Sequence, residues 1–479
     1  MSTVSSPEPL PNDPSLAQLR KQARELQREK RADDPAFPLS AAQREIARRY
    51  GFASWPRLVR HLEVVTRYTW RPEQAPPEES PADEVLRFAC LTYGDDDGPA
   101  RWERARQLLE ADPSLARENV HIAAACANPS LLRAMLRTDT LARTEGGPFG
   151  WEPLMYLAYA RHDAAVSESQ VVDSARILLE RGADPNVGYL WHGLPSPFTA
   201  LTGTFGEGEL GPMLQPRHPH SIALARVLLE AGADANDSQT LYNRMFGDDD
   251  DHLVLLFEFG LGNSDGGPWR ARLGDAIDSP EALLRGQLRW AVMHDQRARV
   301  RLLLDHGVDP DTTFADGRSA METAAMSGHR DIVGLLRERG AAEARLDPVE
   351  EFIAAVFARD SGARAADPEV VARAREARPG LMVWAAARGN RDAVTTLLAL
   401  GFDIDAKARA DVPIEQEWET ALHAAVSNGD GELVLQLLAA GADPTIKDSR
   451  FDATPLGWAR HGGHTDLIEI LGRVTPDDT

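Results

Sequence analysis

Leu437-Leu438-Ala439-Ala440-Gly441-Ala442-Asp443-Pro444-Thr445 decides how this chain is read, because variants of it return four more times. The other copies run over residues 178–186, 228–236, 303–311 and 397–405, each with a Leu pair, a Gly four positions after the first Leu and an Asp two beyond it. Each copy ends a helix and starts a turn. The Leu pair lies on the buried stripe of the helix, the Gly fits the left-handed position just past its end, and the Asp-Pro or Asp-Ile step opens an extended loop. Gly307 to Gly340 is 33 residues, Gly401 to Gly441 is 40 and Gly182 to Gly232 is 50, so a unit of 33 with insertions fits all three.

A second signature opens the unit. Thr420-Ala421-Leu422-His423-Ala424-Ala425 and Thr454-Pro455-Leu456-Gly457-Trp458-Ala459 each begin a helix with a Thr cap, and Pro455 stands at the first helical position, where its missing N–H costs nothing. The short helix closes at Gly429, Gly463, Gly328 or Gly389, and a longer one with apolar residues at helical spacing follows, as in Glu432 to Leu438.

Helix, tight turn, helix, Gly cap and extended loop at this period resemble the ankyrin repeat, with its T-P-L-H-x-A opening and G-A-D-x-N close. The resemblance is strongest over residues 283–345 and 380–475, clear over 150–262, and degenerate over 83–145 and 346–379. In the degenerate units Glu84 to Ala89 and Val349 to Ala355 read as inner helices, with Trp102 to Glu110 and Val370 to Ala377 as their outer partners. The resemblance implies an all-α fold, an ankyrin-repeat solenoid of about ten units over residues 83–475 with an insertion at 187–220 and an acidic tail at 476–479. It also implies that Thr420 and His423 bond to each other and to neighbouring repeats. Gly457, standing in the histidine's place one repeat later, has no side chain to make that bond. The function it implies is a protein–protein interaction scaffold that binds one or more proteins and carries neither catalytic residues nor a cofactor.

Composition agrees with a chain packed on Leu and Ala. Apolar residues make up 43% and aromatics only 6% of 479 residues, too few aromatics for large single cores. No run approaches 18 apolar residues, and Met1 to Pro14 has neither a basic start nor a hydrophobic stretch, so a cytosolic protein without membrane insertion is expected. Cys90 and Cys126 form no CxxC pair and read as small buried hydrophobes. The net charge of −22 is uneven: residues 1–71 hold 13 Lys and Arg against 8 Asp and Glu, leaving 39 against 66 in the remainder. An acidic body repels polyanions, so nucleic acid is not an expected partner of the array.

The N-terminal segment, residues 1–68, reads as three short helices. Asp13-Pro14 starts the first, with Leu16, Leu19, Ala23 and Leu26 on one face; Ser40 to Gln43 is a capping box for the second, and Ser54 caps the third, with Trp55, Leu58, Val59 and Leu62 in one stripe. Gln43 to Leu62 resembles a leader found ahead of ankyrin arrays in bacterial proteins. Three roles are open for it: an end cap covering the first repeat, a separate protein-docking module, or a helix-turn-helix whose Arg44, Arg48, Arg49, Arg57 and Arg60 make a DNA-associated regulator. Residues 69–82, rich in proline, read as a semi-rigid linker.

No catalytic or cofactor signature is present; Gly203 to Gly211 is glycine-rich but lacks the preceding strand and the basic residue of a phosphate loop. The excursion between Asn186 and Ser221 concentrates aromatic and imidazole groups, and insertions in a repeat array emerge as loops on a binding face. Trp191, His192, Phe198, Phe205, Arg217, His218 and His220 are therefore the candidate partner contacts. His218 and His220, with Asp248 to Asp251 and His252 one repeat later, also suit a divalent cation and hence a metal-dependent enzyme with its site near 186–252. Trp384, Trp418, Trp458 and Met326 are further candidates on inner helices that equally suit the seams between repeats.

Overall fold

The computed structural model describes residues 10–11, 14–74, 80–136, 141–410 and 416–475, and the chain divides into two compact units, Met1–Gln287 and Leu288–Thr479. The acidic tail at 476–479 lies outside the described residues, as do residues 75–79 of the expected linker and Asp13.

The first unit begins with α1 (Leu16–Lys30), α2 (Leu39–Arg49) and α3 (Trp55–Tyr68). Their apolar stripes meet in a core of Leu19, Ala23, Leu26, Ile46, Leu58 and Leu62 with small Ala42 and Ala47 between them. Ser54 caps α3 by accepting a hydrogen bond from the Arg57 N–H at 3.4 Å. Ser40 does not cap α2: the Pro38 carbonyl accepts from the N–H groups of Ala41 and Ala42, so the helix starts two residues earlier and Ser40 falls inside its first turn. Thr69 and Trp70, read as linker, form strand β1, and Pro81 is already the first residue of the next helix, with the Ser80 hydroxyl accepting from the Asp83 N–H.

Five helix pairs follow in this unit. Short helices Pro81–Ala89, Val120–Ala125, Pro153–Tyr159, Ala200–Phe205 and Ser238–Met245 pack on one another in chain order, backed by Pro99–Ala111, Pro129–Met135, Glu168–Glu180, Ser221–Glu230 and Asp251–Glu258. The degenerate unit at 83–145 thus folds as a pair of repeats. Within the expected insertion, strands β2 (Gly188–Trp191) and β3 (Pro197–Thr199) form an antiparallel hairpin, with Tyr189 opposite Phe198. β1 adds in parallel to its outer edge, Trp70 beside Trp191. Residues 200–205 are not a loop: Thr199 accepts from the N–H groups of Leu201 and Thr202 and starts an inner helix there. The added length of this repeat sits in residues 206–220, between its two helices.

In the second unit Arg297–Asp305 is followed by the pairs Ala320–Met326 with Arg330–Glu338, Pro348–Phe357 with Pro368–Ala377, Leu381–Ala387 with Arg391–Ala399, Ala421–Ser427 with Gly431–Ala439, and Pro455–His461 with Thr465–Gly472. Ala385, Ala386, Ala424, Ala425 and Ala459 are buried on the short helices, where small side chains let neighbouring backbones approach, while Leu397, Leu433 and Leu437 fill the layer behind them. Burying a leucine of that kind contributes about 2 kcal/mol. Gly307, Gly401 and Gly441 have φ of 85°, 76° and 96°, the left-handed geometry the repeated phrase requires.

Candidate partner-binding surfaces

The expanded repeat of the first unit gathers most of the residues singled out by sequence. Phe198 stacks on Tyr189, ring centroids 5.6 Å apart, and meets the Tyr93 ring edge-on. Phe205 has no exposed surface and packs edge-on against the His252 ring. His218 is buried beside Arg161 and His162, and burial, followed by the positive charge of Arg161, lowers its pKa well below the usual imidazole value. The expectation that Phe198, Phe205 and His218 contact a partner is therefore corrected: all three serve the interior. Trp191, His192, Arg217 and His220 stay half-buried at the surface, and the His220 ring reaches the Val166 carbonyl at 2.6 Å through Nε2.

A charged network holds the residues between the two helices of this repeat. Glu207 is 6% exposed and sits at φ 59°, a conformation side chains rarely adopt. It accepts from Arg217 Nε at 2.7 Å and pairs with Arg244, which is wholly buried. Arg217 also pairs with Asp249 and, at 2.8 Å, with Asp251, while Arg244 reaches Asp249 at 2.6 Å and Asp251 at 3.2 Å. Burial alone would raise the Asp249 carboxyl, but hydrogen bonding with Asp251 and the Arg244 guanidinium hold it far below the usual range; Asp251 is raised by burial and by Asp249 beside it. Asp249, Asp251 and His252 place ligand atoms within 4.8 Å of one another, yet His218 and His220 are not in that group. The metal constellation expected from both sets is thus not assembled, and two guanidiniums already occupy the carboxylates a cation would need.

The cysteines are unpaired thiols. Cys126 Sγ lies 3.8 Å from His162 Nε2, but burial pushes the thiol up to about 12 and the imidazole down to about 4, so the pair is a neutral contact and not a thiolate nucleophile. Burial likewise raises Cys90 to about 12.

The helix-turn-helix expectation for α2 and α3 meets a packing constraint. One face of α3 is covered by α1 and α2, and Val64, Val65 and Tyr68 on another face pack with Trp269, Leu273 and Ile277. Arg57 pairs with Asp275 at 2.7 Å; Arg44, Arg48 and Arg49 remain exposed on α2.

In the second unit the last two repeats form an open groove of about 430 Å³ lined by Ser427, Phe451, Ala453, Gly457, Trp458, His461, Gly462 and His464. Phe451 is 61% exposed at the tip of the preceding loop. Asp448 fixes that tip: its carboxylate accepts from the N–H groups of Arg450, Phe451 and Ala453 at 2.6–3.0 Å and from Trp458 Nε1 at 3.0 Å. Burial opposes the charge, but the hydrogen bonds from Phe451 and Trp458 prevail and the Asp448 carboxyl lies below its ordinary pKa. Arg450 lies over the rings of both Trp418 and Phe451, 4.7 and 4.9 Å from their centroids, and Arg409 lies 4.8 Å from the Trp418 centroid. Trp384, by contrast, is buried and bonds the Arg409 carbonyl, so it fills a seam; Met326 is half-buried.

The family description of ankyrin repeats in three copies matches residues 365–448, and that of ankyrin repeats in many copies matches residues 288–337. Both segments are ankyrin repeats, and the stacked helix pairs are those of an ankyrin solenoid. Among curated proteins, an L-asparaginase of Dirofilaria immitis is 28% identical over 187 residues, 38% of this chain and 30% of that protein. The potassium channel SKOR of Arabidopsis thaliana is 24% identical over 312 residues, 64% of this chain and 37% of that protein. The chain thus spans about a third of the length of these curated relatives.

The ankyrin opening motif behaves as its chemistry requires. Thr420 Oγ1 and His423 Nδ1 are 2.8 Å apart, and His423 Nε2 reaches the Ala453 carbonyl of the next repeat at 3.0 Å. Burial lowers the imidazole pKa to about 4, leaving it a neutral link between repeats. Among the described residues the Thr454 hydroxyl retains only its cap on the Gly457 N–H. Glu207, Arg244, Asp448 and Phe451 were not singled out by sequence. Phe451 left a signal, an apolar residue at a loop tip three positions before a Thr-Pro opening; Glu207 and Arg244 left none, being charged residues whose burial depends on distant partners. No described helix is long and apolar enough to cross a membrane.

Proposed function

We propose that this ankyrin-repeat protein is a non-catalytic cytosolic scaffold whose partner is another protein, held on the groove of its last two repeats. The observation that carries this reading is Phe451, a large apolar side chain left 61% exposed on a loop whose backbone is fixed by Asp448. A rigid aromatic at the mouth of a groove loses little conformational entropy on binding, which is what a contact anchor needs. Arg450 beside it and Trp458 below it supply the amphipathic surround typical of protein contacts. The relatives support a scaffold over either printed activity: an asparaginase and a potassium channel have no chemistry in common, and each is matched over only about a third of its length. The half-buried Trp191, His192, Arg217 and His220 of the first unit are a second, smaller contact region in the same proposal.

Affinity capture with the whole chain, wild type against Phe451→Ala, tests the assignment. A protein retained by the wild type and depleted about ten-fold with the variant, with unfolding unchanged, supports it, since truncating a contact anchor costs 2 kcal/mol or more. Equal retention by both removes the groove from the reading. Deleting residues 189–220 is the wrong control, because the deletion would remove the inner helix Ala200–Phe205.

A further inference from the structure

In a chain of net charge −22, one cleft of the first unit gathers positive charge. It measures about 390 Å³ and lies between α3, the turn at Gly51-Phe52, and residues 271–276 that end the helix Gly267–Leu273. Arg57, Arg60 and Arg272 line it, against a single carboxylate, Asp275, which is paired with Arg57 at 2.7 Å. Arg60 has no hydrogen-bond or ion-pair partner among the described residues. Arg272 lies over the Trp269 ring, its guanidinium carbon 4.8 Å from the centroid, and 5.3 Å from the centroid of Tyr68, with no ion pair among the described residues. A guanidinium held over aromatic rings by cation–π attraction keeps its N–H groups available to an anion. His61, 9% exposed, forms part of the wall with Nδ1 lacking any partner among the described residues.

We propose that this cleft binds a phosphate monoester, its phosphoryl dianion held between Arg60 and Arg272. Three arginines against one aspartate leave two uncompensated positive charges, which a dianion balances and a lone carboxylate does not. Guanidinium forks match phosphoryl oxygens in pairs, and a volume of this size admits an organic group beside the phosphoryl, against the half-buried Phe52 ring. The cations converge across a concave site from two helices. A duplex backbone instead requires them spread along an outward face, and one face of α3 is covered by α1 and α2 while another packs on Trp269 and Leu273.

The test is calorimetric titration of the whole chain with inorganic phosphate and with phenyl phosphate at constant salt. Wild type gives saturable binding; Arg60→Ala and Arg272→Ala each weaken it about ten-fold, while Asp275→Asn, which removes the competing carboxylate, strengthens it several-fold. Tighter binding of phenyl phosphate than of phosphate identifies an ester as the ligand, and equal binding identifies free phosphate. Arg60 is exposed and partnerless, so its variant keeps the fold, as matching thermal unfolding will verify. Arg20→Ala removes the same charge from exposed α1, away from the cleft. Equal weakening by Arg20→Ala, no saturable binding by the wild type, or a DNA duplex that outcompetes phenyl phosphate regardless of Arg272→Ala would each overturn the proposal.

Discussion

The expanded repeat around Glu207 and the repeats that close the second unit are built from the same helix pair but held by different forces. From Leu381 to Leu471 the seams are largely alanine against alanine with leucine behind them, and His423 crosses to the next repeat as a neutral imidazole. From Thr199 to Asp251 the seam is crossed by buried charge: Glu207 between two arginines, and Asp237 accepting from the hydroxyls of Thr199 and Thr202. Where a repeat keeps its consensus length, apolar burial suffices. Where residues 206–220 lengthen the connection between helices, its own backbone hydrogen bonds are joined by charged side chains that reach across it, Arg161 to the Pro216 carbonyl and Arg217 to Glu207.

The sharpest way to break that contrast is Glu207→Ala. It leaves the wholly buried Arg244 without its nearest carboxylate, and urea unfolding should show a loss of about 3–5 kcal/mol in the first unit with the second unit unmoved. A loss below about 1 kcal/mol, the level of an exposed pair, would mean that Asp249 and Asp251 alone satisfy Arg244 and that the network is not what holds the loop. Glycines give a paired test of opposite sign. A Cβ at Gly203 would run into the Tyr159 ring, so Gly203→Ala should cost about 2–3 kcal/mol. Gly334, in the helix Arg330–Glu338 with nothing near its missing Cβ, should gain up to about 1 kcal/mol on the same change.

Two smaller effects refine the comparison within each region. Thr420→Ala removes a helix cap and the partner of His423 and should cost about 1–2 kcal/mol; Thr454→Ala removes the cap alone and should cost about half that, measured by thermal unfolding. Glu152 is raised to about 7 by burial, with Asp184 and Glu145 adding to the rise. Its folded pKa exceeds the ordinary value, so the native state holds the proton more tightly, and stability falls as pH rises from about 4.5 through 7. Glu152→Gln should flatten that slope and add about 1 kcal/mol at pH 8 while changing little at pH 4, read from unfolding midpoints across the range.

The sequence alone determined the repeat unit, because the Leu pair, the left-handed Gly and the Thr-Pro opening are local requirements: a helix ends or begins there whatever surrounds it. His423 was legible for the same reason, its first partner lying three residues away. Only the tertiary structure decided which residues of the expanded repeat face solvent. Thr199-Ala200-Leu201-Thr202 opens an inner helix with Thr in place of His and Gly203 inside it, so the local signal failed, and Phe205 and His218 turned inward with it. The inward orientation of Glu207 and Arg244, the shielding of α3 by Trp269, and the fixing of the Phe451 loop by the Trp458 indole each rest on pairings between residues distant along the chain. Such pairings depend on how helices stack, and periodicity records only that they do.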